Sequence, residues 1–462
     1  MLKQGGAGTA GHFLRGAVTA CALLFGASLS AAAHAAALQA GPMVGPTAMR
    51  SATVWLQADA PATARIVYWE MSASGKSSGE KKLSSDAVRL LRSEDFTAHL
   101  LLDGLQPGRR YAYQVVLNGK PAGKTHELAT QSLWQWRTDP PDFRVLIGSC
   151  AYINEPAYDR PGSSYGGGME IFSAMEAAKP DLTVWMGDNL YFREADYDSP
   201  AGMAARYRHD RALPQLQALL STGSHAAIWD DHDYGPNDSN SSFIFKQQAL
   251  MLFERYWVNP SYGLPGMPGT FSVVHQGDAD FFLLDNRWYR DDDKLQDDNK
   301  VMFGEQQMRW LKNALLSSAA TFKFIVGGSQ LLDRSSPYEG WRHFGAERER
   351  FLQWLDQQRV PGVMFLSGDR HHTELLHWPR AGNYTLYELT CSPLTSGTHD
   401  INSERQNPGL IAGTLVGERN FCGLDFAGKS KQRQLTLRVF DSHGNELWNR
   451  QLSSRELGYD GK

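Results

Sequence analysis

Five short apolar runs, each broken abruptly by small residues and metal-competent side chains, limit what this chain can become more than any other feature. Phe143-Arg144-Val145-Leu146-Ile147 runs into Gly148-Ser149-Cys150, and Leu182-Thr183-Val184-Trp185-Met186 into Gly187-Asp188-Asn189-Leu190-Tyr191. Ala226-Ala227-Ile228-Trp229 precedes Asp230-Asp231-His232-Asp233. Phe322-Lys323-Phe324-Ile325-Val326 precedes Gly327-Gly328-Ser329-Gln330, and Val363-Met364-Phe365-Leu366 precedes Ser367-Gly368-Asp369-Arg370-His371-His372. Such runs have the texture of strands buried on both faces. Between them, Glu170 to Ala178 and Glu305 to Leu316 carry helical apolar spacing, the second with Met308, Leu311 and Leu315 on one face. Strands alternating with helices predict an α/β architecture over residues 142–455. Ligands of such sheets bind beyond the carboxyl ends of the strands, so five strands would aim polar groups at one edge.

The preceding stretch reads differently. Residues 38–138 carry alternating runs at short spacing, such as Ala52-Thr53-Val54-Trp55-Leu56, Ala64-Arg65-Ile66-Val67-Tyr68 and Tyr111-Ala112-Tyr113-Gln114-Val115, which predict a small all-β sandwich. Leu105-Gln106-Pro107-Gly108-Arg109-Arg110-Tyr111 resembles the turn and corner tyrosine of immunoglobulin and fibronectin III-like domains. A Pro-rich joint at Thr138-Asp139-Pro140-Pro141-Asp142 marks the boundary. A rigid flank of the second domain is the reading preferred for this module over a separate binding function.

Residues 1–35 are expected to be an export signal: Lys3 and Arg15 give a basic start, Ala17 to Leu29 an apolar core, and Ala31-Ala32-Ala33-His34-Ala35 a cleavage site of small residues. Without a twin-arginine pair, the general secretory route and a periplasmic or secreted address are expected, with no membrane span in the mature chain. Of the 462 residues, 42% are hydrophobic and 21% charged, as in a soluble globular protein. The net charge of -4 argues against a nucleic-acid partner. Cys150, Cys391 and Cys422 lie beyond the signal, and an odd count leaves one thiol over. Cys391 and Cys422 are the expected pair, two separately buried thiols being the alternative.

Carboxylate, imidazole, thiolate and phenolate are the ligand set for hard or borderline cations. Crowded aspartates would repel one another without a cation among them, and two adjacent metals can activate water and neutralise a transferring phosphoryl group.

The five blocks in this order, with Asp230-Asp231-His232-Asp233 extended through Tyr234-Gly235-Pro236-Asn237-Asp238, resemble the alkaline phosphatase D (PhoD-like) family of metallophosphoesterases over roughly residues 143–440. The resemblance implies a sandwich of mixed β-sheets flanked by helices, with an all-β domain in front. It also implies a phosphoesterase acting on mono- or diesters through a metal-bound hydroxide, at a binuclear or multinuclear centre. Fe3+ and Ca2+ are the metals it favours, with Zn2+ or Mn2+ as alternatives. Residue by residue, Asp188 would bridge two metals, and Cys150 and Tyr191 would hold a ferric ion completed by Asp369 or His371. Asp231, Asn237 and His371 would serve the calcium side or the phosphate, and His232 would be general acid or charge stabiliser. Arg370 could contact phosphate oxygens through a forked hydrogen bond. Gln330 stands where the wider superfamily has a histidine ligand, and the C-terminal Leu435-Thr436-Leu437-Arg438-Val439-Phe440 predicts a strand in place of a long helix over the site.

Other readings stay open at this level. Arg287 could meet phosphate or an internal acid. Asp291-Asp292-Asp293 with Asp297 and Asp298 lacks calcium-loop spacing and is expected to be a solvated loop. Two rival functions are a non-catalytic, metal-stabilised binding protein of the same fold and a hydrolase using Cys150 with His232.

Overall fold

Alternating patterns in the first hundred residues and continuous apolar runs in the remainder produce three sheets. The computed structural model describes residues 36–72 and 82–459, and the expected export signal lies outside them. The largest sheet has nine strands, in the order Glu446–Ser453, Gln434–Asp441, Asn420–Ala427, Phe143–Gly148, Leu182–Met186, Ser224–Ile228, Leu38–Val44, Ala52–Ala58 and Thr97–Leu102. Its centre is parallel and in register, Leu182 opposite both Val145 and Ser224. A six-stranded sheet, Ser272–Gln276, Ala279–Leu283, Phe322–Val326, Val363–Ser367, Leu386–Thr390 and Glu374–Trp378, faces it.

The two large sheets meet through aromatic side chains. Phe426 stacks on Phe143 with ring centroids 4.4 Å apart and meets the edges of Phe322 and Phe324. Val145, Ile147, Val184, Met186 and Ile228 join the same core. The strand residues between them, Leu146, Trp185, Ala227 and Trp229, point to the other face, where the helices Glu170–Ala177, Pro214–Leu220 and Lys246–Tyr256 cover them. This is why those strands read as unbroken apolar runs: both faces are buried. Helix Glu305–Ser317 buries Met308, Leu311 and Leu315 as its spacing predicts. The C-terminal residues form strands Gln434–Asp441 and Glu446–Ser453, again as expected. A Cys391–Cys422 disulfide joins the loop after Leu386–Thr390 to strand Asn420–Ala427, one sheet to the other, and leaves Cys150 as the free, buried thiol.

The N-terminal strands enclose a core of their own, including Val54, Leu56, Ile66, Leu100, Tyr113 and Val115. Tyr111 closes its corner by accepting the Gln106 N–H at 2.9 Å, the arrangement of a tyrosine corner. One layer of this module pairs Leu83–Ser84, Ala62–Glu70, Arg110–Leu117 and Lys120–Ala129, with Val88–Leu90 alongside. The other layer continues the nine-stranded sheet, since Val44 pairs in parallel with Ser224. Hydrogen bonding therefore crosses the expected boundary at 138–142, and residues from Ala36 onward form one compact unit.

Candidate metal centre

The parallel register brings the ends of five strands together, and the backbone there is unusual. Cys150, Asp188, Asp369 and His371 all adopt left-handed φ, between 51° and 66°. Each such non-glycine residue costs on the order of 1–3 kcal/mol, and the surrounding fold has to impose it. Gly187, at φ 90°, makes room: a Cβ there would stand 2.7 Å from that of Asp230.

Asp188 occupies the middle of the edge and is 1% exposed. Its two oxygens face different neighbours. Oδ2 accepts the Tyr191 hydroxyl at 3.0 Å and lies 3.6 Å from Cys150 Sγ. Oδ1 faces the His232 backbone N–H at 3.3 Å. Cys150, Asp188 and His371 offer ligand atoms within 4.8 Å of one another, as do Asp188, Asp231 and His232, and as do Asp231, Asp238 and Glu339. Two shared aspartates thus link three clusters in a row. Tyr191 OH is 3.2 Å from His371 Nε2, so the phenol belongs to the first cluster. The Tyr165 hydroxyl lies 3.1 Å from His371 Nδ1 and fixes that ring from behind.

Electrostatics identify what these groups lack. Burial, then the charges of Asp231, Asp230, Asp233 and Asp369, pushes the Asp188 carboxyl well above its ordinary range. Burial and Asp188 raise the Cys150 thiol in the same way, and likewise the Tyr191 phenol. Burial, then Asp230 and Glu339, raises Asp369. In all four, burial and neighbouring acids disfavour the charged form that binds metal, and a cation among them would act in the opposite direction. Asp231 differs: burial would raise it, but His232 and Arg287 outweigh burial and hold it below its ordinary range. Its Oδ1 is buried without a hydrogen-bond partner. The donor set therefore fits metal ions.

A cavity of about 480 Å³ opens over the edge, lined by Asp188, Asp231, His232, Asn237, Asp369, Arg370 and His371 among others. His232 also borders a second cavity of about 920 Å³ walled by Tyr152, Tyr165, Tyr191 and Phe192. Its ring stacks on Tyr191 at 4.1 Å, and burial keeps its pKa below the ordinary value. Arg370 lies under the ring face of Tyr338 and donates to Glu404 at 3.0 Å. All the residues expected from the sequence thus meet at one cavity or in the clusters beneath it, with Asn237 on the exposed rim. Gln330 turns aside: its amide donates to Glu374 and Thr390.

Sequence reasoning missed Glu339, which ion-pairs with Arg287 and Arg290 at 2.7 and 2.9 Å. It lies in a loop with no strand-end pattern to mark it. Asp238, at the tail of the third block, was legible but unassigned; its N–H donates to Asp231 at 2.8 Å. Arg287 is internal, fully buried against Asp230, Asp231 and Glu339. The acidic run, expected to be a solvated loop, borders the same cavity, with Asp291 and Asp292 accepting backbone N–H groups and Asp293 pairing with Arg290. The fully buried Cys150 thiol faces Asp188 and Ser392, which gives no support to its use as a nucleophile with His232.

Comparison with known proteins places this geometry. The family model described as PhoD-like phosphatase matches residues 146–431, and a domain of unknown function (DUF7800) matches residues 35–132. Alkaline phosphatase D of Bacillus subtilis (strain 168) is 23% identical over 367 residues, 67% of this chain. The chain spans 59% of that relative's length. A solved structure of PhoD superposes with a TM-score of 0.71 at 16% identity, covering 89% of this chain and 91% of the other, which establishes the shared fold. Among the described residues no helix is long and apolar enough to cross a membrane.

Proposed function

Because the chain belongs to the PhoD-like phosphatase family, we propose that it is an exported, metal-dependent phosphoesterase that hydrolyses phosphate esters at the carboxyl edge of its sheets. The observation that carries this reading is the division of Asp188, one oxygen toward Cys150 and Tyr191 and the other toward the cluster of Asp231 and His232. Cations held there would supply charge neutralisation for a phosphoryl group and activation of water near neutral pH. Cys150, Tyr191 and His371 form the thiolate, phenolate and imidazole half, whose anionic donors suit Fe3+, and Asp231, Asn237 and Asp369 the oxygen half, suited to Ca2+. Zn2+ or Mn2+ would fit the same donors.

Asp188 keeps the two halves in register. His232, partly exposed between the two cavities, is placed to give a proton to the departing ester oxygen. Arg370, held by Glu404, faces the cavity from the opposite loop and orients a phosphate oxygen. Monoesters and diesters both suit this arrangement, and the aromatic cavity beside His232 leaves space for a large leaving group. The Cys391–Cys422 disulfide supports an oxidising, extracytoplasmic address.

Metal analysis of the purified protein, with a panel of mono- and diesters before and after chelation, tests the reading. Chelation should abolish hydrolysis and iron or calcium should restore it. Full activity after complete metal removal would overturn it.

A further inference from the structure

Beside the centre, and sharing none of its ligands, lies a second buried group of donors. His372 follows His371 in the same loop, Glu374 opens strand Glu374–Trp378, Glu404 begins the 3-10 turn Glu404–Gln406, and Gln330 lies in the loop after Phe322–Val326. Their exposures are 1% for His372, 0% for Glu374, 4% for Glu404 and 1% for Gln330. His372, Glu374 and Glu404 offer ligand atoms within 4.8 Å of one another.

The hydrogen-bond pattern leaves this group with a surplus of lone pairs. His372 Nδ1 lies 3.0 Å from the Arg370 carbonyl oxygen, which can only accept, so Nδ1 carries the ring hydrogen. In the neutral ring Nε2 then presents a lone pair, 3.3 Å from Glu374 Oε1. That oxygen already accepts the Gln330 amide at 2.7 Å. Three fully buried acceptors have no hydrogen-bond partner: His372 Nε2, Glu374 Oε2 and Gln330 Oε1. A buried water brings two hydrogens and would leave one acceptor unmet, with the Glu374 charge uncompensated. A cation between the imidazole and the carboxylate would meet His372 Nε2 and compensate the Glu374 charge. Two ligands each about 2.1 Å from a zinc-like ion stand roughly 3.0–3.5 Å apart, the separation found between Nε2 and Oε1. Glu404 adds a second carboxylate whose Oε1 is held by Arg370 at 3.0 Å.

We propose that His372, Glu374 and Glu404, with the amide oxygen of Gln330, bind a divalent cation of the zinc type, separate from the strand-edge centre. Imidazole with carboxylate and carbonyl oxygens is a borderline donor set, and all four donors are protein groups, as in structural sites closed to substrate. The ion would tie the loop carrying Asp369 and His371 to the Glu404 turn.

The probe is zinc alone, counted per chain by elemental analysis on the full-length protein. His372→Ala and the conservative Glu374→Gln should each lose one zinc relative to the wild type and keep the iron or calcium of the main centre. Asp188→Ala, emptied of the main centre, should retain one zinc. X-ray absorption at its zinc edge should show imidazole scattering and a nitrogen and oxygen shell at about 2.0–2.1 Å, without the thiolate distance of about 2.3 Å. Unchanged zinc in both His372→Ala and Glu374→Gln would overturn the proposal, as would sulfur ligation of the zinc left in Asp188→Ala. Should Asp188→Ala fail to fold, the difference between Glu374→Gln and wild type decides by itself.

Discussion

The two halves of the nine-stranded sheet are continuous in hydrogen bonding and opposite in character. In the N-terminal half, strands Leu38–Val44, Ala52–Ala58 and Thr97–Leu102 bury an apolar core, and the buried polar groups of described residues 36–130 are neutral: Thr47, Gln57, Thr97 and Thr130. In the other half, strands of similar length end in Cys150, Asp188, Asp230 and Asp231, all buried and packed against other acids. The contrast arises just beyond the last strand residue. Left-handed residues at 150 and 188 stand directly beyond these strand ends and turn the chain over the edge. A sheet of this kind supports an apolar flank and a strained, charge-dense site with the same backbone ladder.

Substitutions should separate the two halves sharply. The largest effect is expected from Asp188→Ala: loss of iron and calcium together and a fall in turnover on the order of 10⁴-fold or more, since the ligand serves two positions that act as a unit. Retained metal with retained turnover would erase the contrast between the halves. Next comes His232→Ala, expected to lower turnover of alkyl esters by about 10²–10⁴-fold with metal content unchanged. The loss should be smaller for nitrophenyl esters, whose leaving group departs without a proton. Equal losses on both would remove the acid role, and loss of metal would make His232 a ligand.

A third prediction sits at the opposite end of the same strand that leads to Asp230. His225, fully buried, accepts the Trp185 indole N–H at 3.2 Å, and burial, then Arg211, holds its pKa at about 3. An unfolded histidine titrates near 6.5, so between those values the unfolded chain binds a proton that the folded chain refuses. Its contribution is complete above about pH 6.5 and is lost as pH falls toward 3, on the order of 5 kcal/mol in all. Urea midpoints measured across that range should fall more steeply in wild type than in His225→Gln; parallel curves would refute the assignment.

Within the N-terminal half, Ile66→Ala should cost about 2–5 kcal/mol of stability by opening a cavity, with turnover per folded molecule unchanged. A change in metal content there would show that the flank shapes the site. Smallest of all, Arg110→Ala breaks an exposed pair with Glu127 and should shift stability by no more than about 1 kcal/mol, read from the midpoint of denaturant unfolding.

The sequence by itself determined which segments become strands and helices, and which residues stand at strand ends. Both come from local periodicity: continuous apolar runs at 143, 182, 226, 322 and 363, and the helical spacing of Met308, Leu311 and Leu315. Cys150, Asp188, Tyr191, Asp231, Asp369 and His371 were legible because each stands within a few residues of the end of such a run. The tyrosine corner at Tyr111 was legible for the same reason, its partner Gln106 being five residues away. Tertiary structure alone decided the rest. Glu339, Arg287 and Glu404 enter through loops distant in sequence, where no short-range pattern marks a partner. Only the packing of strand ends against one another turns the two oxygens of Asp188 toward different clusters and holds four site residues in left-handed conformation. Even the flank joins the central sheet through the parallel pairing of Val44 with Ser224, a contact between strands so far apart in sequence that no local pattern marks it.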